Sequence, residues 1–149
     1  MRQSQWWSVG VLVSIVFGLC CLAADKPSDE QITQAIEKLQ GIWRCTKLVN
    51  AGQEAPAEQV GRLTFTFKGD QVINIDPNDP ATIKLDPSKT PATIDFINKD
   101  NKVDVGIYVI EGDKLTFCMS TAESKKPRPT SFESTRENGA MLGVFTRQK

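Results

Sequence analysis

The chain has 149 residues, with 18 basic against 18 acidic side chains and 40% hydrophobic residues, which suits one domain built around one core. The charge is evenly spread and shows no basic stripe, which excludes binding along a nucleic-acid backbone and any strong electrostatic steering of a charged partner. Histidine is absent, and with it go Ser–His and Cys–His nucleophiles and the commonest metal ligand.

The first element in chain order is an apolar leader. Residues 6–24 carry no charge and follow a short basic start at Arg2, the pattern of a secretory signal peptide over 1–23. Cys21 and Ala23 would stand at positions −3 and −1, which leaves 24–149 as the mature domain, with 17 basic against 18 acidic residues. Two alternatives compete with cleavage. The run is just long enough to act as an uncleaved membrane anchor, but a single Arg orients it weakly. Acylation at Cys20 or Cys21 would make a lipoprotein, but the residues before them do not form the usual small-residue motif. Cleavage and release into the periplasm or the exterior is the favoured reading, with no membrane span in the mature chain.

A helix is expected over about 28–40. Ser28 and Gln31 have the spacing of a capping box, acids occupy the first turn, and Ile32, Ala35, Ile36 and Leu39 recur on one face. Gly41 stands where a helix C-terminal glycine belongs.

Beyond Ile42 the apolar period becomes two, and strands are expected over about 42–147. Trp43, Cys45 and Val49 begin the first. Leu63, Phe65 and Phe67 form a second, joined by the turn Lys68-Gly69-Asp70 to Ile73 and Ile75. Prolines and asparagine at 77–80 break the pattern. Ala81, Ile83 and Leu85 then pair across a proline-rich turn with Ala92, Ile94 and Phe96. Val103, Val105, Ile107 and Val109 make one face of a long strand, and Glu111-Gly112-Asp113 turns it into Leu115, Phe117 and Met119. A Lys- and Pro-rich loop at 124–129 leads to a short strand at 130–133, and the last strand runs from Met141 to Arg147. Eight or nine strands at hairpin distance close as a barrel or stack as a sandwich.

Gly41-Ile42-Trp43 at the entry of the first strand and Arg147 at the end of the last resemble the lipocalin arrangement, in which an arginine covers a tryptophan at the barrel base. A guanidinium over an indole face gives a cation–π contact. Leu63-Thr64-Phe65, the Leu85-Asp86-Pro87 to Ile94-Asp95 segment, Gly106-Ile107-Tyr108 and Arg128-Pro129-Thr130-Ser131-Phe132 follow in order. This series resembles an uncharacterised exported domain family found mainly in planctomycete bacteria. That resemblance implies a lipocalin-like β-barrel and carries no established activity.

Chemistry is sparse. Asp76, Asp79 and Asp86 lie close in sequence among prolines, a pattern that fits turns better than a calcium loop. Asp95 sits on a polar strand face. The basic stretch at 124–129 is a solvated loop or a contact for an anionic polymer or lipid headgroup. Cys45 and Cys118 are the candidate disulfide in an oxidising compartment, but Cys45 shares the phase of Trp43 while Cys118 is out of phase with Phe117, so the bond is not expected. Trp43, Phe65, Phe67, Phe96, Phe117 and Phe145 line a cavity or fill a core.

The expectation is therefore a mainly β protein, a small antiparallel lipocalin-like barrel of about eight strands with one N-terminal helix. It is expected to be non-enzymatic and without cofactor. The leading function is binding of a small apolar or amphipathic ligand in the cell envelope, and the alternative is a structural or protein-interaction domain with a filled barrel.

Overall fold

The computed structural model describes residues 26–73 and 79–149, so the leader, Ile75 and Asp76 lie outside the described residues. Helix α1 spans Asp29–Leu39. The strands are β1 (Gly41–Asn50), β2 (Gln53–Glu54), β3 (Thr64–Lys68), β4 (Gln71–Ile73), β5 (Ala81–Asp86), β6 (Ala92–Ile97), β7 (Val103–Glu111), β8 (Lys114–Ser120) and β9 (Met141–Arg147), with a short helix α2 at Ala57–Arg62. All pairings are antiparallel. Each of the strands β3 to β9 pairs with its sequence neighbour, β1 pairs with β3, and β1 also pairs with β9. The result is a closed eight-stranded barrel, with β2 hydrogen-bonded to β1 outside the ring. Closure leaves the ring itself without free edges.

The capping box at the start of α1 is complete. Ser28 N–H donates to Gln31 Oε1 at 2.9 Å, and Gln31 N–H donates to Ser28 Oγ at 3.2 Å. The apolar face of α1 puts Ala35 and Leu39 into the core, with Ile36 against it, so the helix covers one end of the barrel. At the other end α2, unanticipated from the sequence, brings Val60 into the same core. Its signals are modest: Pro56 at the N-cap and Glu58 in the first turn.

A bulge in β1 governs which side chains face inward. Cys45 pairs with Phe145, but Lys47 pairs with Val144, so Thr46 is the extra residue. The inward phase therefore passes from Trp43 and Cys45 to Leu48, which packs on the core. The expected Trp43–Cys45–Val49 face is corrected by this one-residue shift, because Val49 pairs instead with the outward Leu142. In β4 the inward residue is Val72, paired with Phe67, rather than Ile73.

The Ile107 face of β7 turns outward, and Tyr108 on the opposite face joins the core. Residues 130–133 form no strand. They belong to a strap, residues 121–140, laid across the outer wall, where Phe132 and Ala140 cover Ile107 and Cys118 in a second small apolar cluster. Apolar residues on both faces of β7 and β8 follow directly from burial on both sides.

The bore is filled. Phe65, Phe96, Phe117 and Phe145 form a contiguous aromatic cluster with ring centroids 4.9–6.3 Å apart, and Phe67 joins it through Phe65. A Cβ at Gly143 would fall 2.6 Å from the Phe145 ring, so only glycine admits this cluster against β9.

Candidate functional site

The barrel base is built around Trp43 and Arg147, which pair across β1 and β9. The Arg147 guanidinium lies 4.1 Å from the centroid of the Trp43 ring, and Trp43 is fully buried. The same two residues, together with Gln40, finish α1. The last four carbonyls of a helix have no partner within it, and here all four are satisfied. Gln40 donates through Nε2 to Ile36 O at 2.9 Å and through its backbone N–H to Glu37 O at 3.2 Å. Arg147 Nη2 donates to Lys38 O at 2.7 Å, and Trp43 Nε1 donates to Leu39 O at 2.7 Å. Arg147 Nη1 also donates to Gln40 O, and Nε faces Asp113. A cation thus meets the negative end of the helix dipole. This is a structural joint: the carbonyls at the helix end are all taken up by the chain's own groups.

The remaining candidates separate. Phe65, Phe67, Phe96, Phe117 and Phe145 come together as core, and none of them lines the depressions described below. Cys45 lies inside the barrel and Cys118 outside it, beneath the strap. Both are free thiols, so the candidate disulfide is not formed. Each donates weakly to a different carbonyl, Lys47 O at 3.3 Å and Glu133 O at 3.4 Å. Burial holds both thiols above their ordinary range, against the smaller opposite effect of those hydrogen bonds.

Asp79 pairs with Lys99 at 3.3 Å, and Asp86 accepts from the backbone and hydroxyl of Ser88. Asp95 pairs with Arg128 at 2.6 Å. The basic stretch at 124–129 is thereby divided. Lys126 reaches Glu137 O, while Arg128 Nη1 is drawn to the wall at Asp95, Gly106 O and Ile94 O. Among the described residues no group of three His, Cys, Asp or Glu side chains could hold a metal ion.

One groove was not foreseen from the sequence. It lies between α1 and the turn joining β5 to β6, has a volume of about 460 Å³, and is mainly apolar. Gln34, Ala35, Pro91, Tyr108, Ile110 and Phe132 are among its lining residues. Tyr108, the only tyrosine in the chain, is nearly buried. Burial, and secondarily the Asp86 carboxylate, keep its phenol protonated to higher pH than usual. Its hydroxyl has no hydrogen-bond partner among the described residues and is not sealed from solvent. Apolar walls with a few convergent polar groups are what a small-molecule site requires, and the volume lies within the usual range of about 300–1,000 Å³.

Fold and base joint define a closed eight-stranded antiparallel β-barrel domain with one helix docked across its base. No family model, curated protein or solved structure matches the chain. No helix among the described residues is long and apolar enough to cross a membrane.

Proposed function

We propose that this protein is an exported, non-enzymatic binding module for a small apolar or amphipathic ligand, and that its site is the groove beside α1 and not the barrel bore. The observation that carries this reading is the contrast between the two spaces. The bore is occupied by closely packed phenylalanines, whereas the groove has apolar walls and one unpartnered phenolic hydroxyl at Tyr108. Export is supported by the uncharged run at 6–24. Membership of the planctomycete exported family is part of the same proposal and rests on the Leu85-Asp86-Pro87 to Ile94-Asp95 segment and its neighbours.

Native mass spectrometry of the protein purified gently from an exporting host tests the reading. An added mass that disappears on denaturation, and is missing from Gln34→Trp, is the expected result; Gln34 is exposed on α1 and lines the groove, so an indole there blocks it without touching the core. The filled bore also favours a second reading, an envelope domain that meets another protein through its outer surface. A bare mass, together with no thermal stabilisation by any amphiphile tried, overturns the first reading and leaves the second.

A further inference from the structure

The polar groups that line the groove beside α1 are not equally free. Gln31 Oε1 accepts from Ser28 N–H and Gln34 Nε2 donates to Glu30, so both amides of the helix-side wall are anchored within α1. Lys38, the single charged lining residue, is exposed in the last turn of α1, where the negative end of the helix dipole favours a cation. Thr90 is exposed at the rim. Tyr108 alone among the polar lining residues is nearly buried, and its hydroxyl has no partner among the described residues. Burial, and then the Asp86 carboxylate, keep the phenol protonated, so it can donate. Asp86 pairs with Thr93, next to the Ala92 that pairs with Tyr108, so its charge disfavours an anion there. The neighbouring depression, of about 400 Å³, shares Thr90 and Pro91 with the groove and offers no net charge. Arg128 is neutralised there by Asp95, and Lys89 is balanced by Asp86 on the same wall.

We infer that the groove takes an uncharged amphiphile carrying a carbonyl or ether oxygen, and that the Tyr108 hydroxyl is the specificity-determining donor to that oxygen. This rests on the binding reading above and adds the chemistry of its ligand. An occupant that fills the apolar trough strips water from the phenol. A pure hydrocarbon leaves the donor buried without an acceptor, which opposes binding. A carboxylate meets the field of Asp86 and loses its own hydration. A neutral oxygen replaces the displaced water at little desolvation cost, and the apolar remainder lies against Pro91, Ile110 and Phe132.

The test measures equilibrium binding of methyl nonanoate, decanoate and decane to the exported protein, to Tyr108→Phe and to Gln34→Trp. Tyr108→Phe removes a hydroxyl that makes no hydrogen bond among the described residues, so its urea midpoint should match the native one. Methyl nonanoate should bind Tyr108→Phe about three- to tenfold more weakly than the native protein, the range of one neutral hydrogen bond. Decane, followed by headspace partitioning, should bind Tyr108→Phe at least as well as the native protein. Decanoate should bind the native protein more weakly than methyl nonanoate does, and Gln34→Trp should abolish binding of all three. Equal binding of methyl nonanoate to the native protein and Tyr108→Phe, lost in Gln34→Trp, leaves the groove reading intact and overturns the role of Tyr108. A parallel loss of decane binding in Tyr108→Phe reports a change of groove shape and overturns that role as well. Tighter binding of decanoate than of methyl nonanoate overturns the uncharged ligand. Absence of binding by any of the three overturns the functional reading itself.

Discussion

At the scale of single residues, the joint between Trp43 and Arg147 concentrates more of the fold than any other pair. Trp43 supplies a buried ring, the closing donor of α1 and the face beneath a guanidinium. Trp43→Ala should lower stability by about 3–5 kcal/mol, as truncation of a large buried aromatic does, and urea unfolding measures it directly. Both residues were legible in the sequence, since Gly41-Ile42-Trp43 and the terminal Arg147 frame the first and last strands. The helix carbonyls that they satisfy were not legible, because that role depends on where the helix end docks. The thiols carry a pH dependence of definite sign. Their folded values are raised by burial, so the folded state retains protons that the unfolded chain releases above about pH 8.5. The stability tied to them is therefore complete below that value and is lost as pH rises toward the folded values. Urea midpoints between pH 7 and 10 should fall in the native protein, and less steeply in Cys45→Ala/Cys118→Ala.

At the scale of elements, the hairpins were readable wherever one face is apolar and the other polar, as in β3, β5 and β6. Readability failed where a backbone irregularity resets the phase. The bulge at Thr46 exchanges Val49 for Leu48 on the inner face, and periodicity alone cannot register an extra residue. Leu48→Ala should consequently destabilise by about 1–2 kcal/mol and Val49→Ala by less than about half that, which paired denaturation curves will show. The strap at 121–140 escaped for a different reason. Thr130 and Phe132 alternate with polar Ser131 and Glu133 as in a strand, yet the segment is held to the wall by side chains rather than by a ladder. Arg128→Ala should loosen it by roughly 1–2 kcal/mol and so raise native-state labelling of Cys118 about tenfold. Cys45, inside the barrel, should keep its protection, which makes it an internal control in the same labelling experiment.

At the scale of the whole molecule, the barrel acts as a scaffold. The inward phenylalanines were identified from alternation alone, but whether they fill a bore or surround a void depends on ring positions in three dimensions. The groove beside α1 was likewise invisible, since residues 31–38, 87–92 and 108–110 and Phe132 meet only after the ring has closed. Native mass spectrometry addresses this scale, because occupancy is a property of the assembled groove. The pairing of β1 with β9 has a further consequence for how the protein folds. The strand that completes the ring holds residues 141–147, and Arg147 also finishes the first helix. A chain in which Met141–Arg147 has yet to dock is therefore an open sheet with two unpaired edges, whatever has already formed upstream. In refolding, native protection of the core amides should arise only once Met141–Arg147 has docked against β1, late and in a single step, as the joining of sequence-distant strands demands.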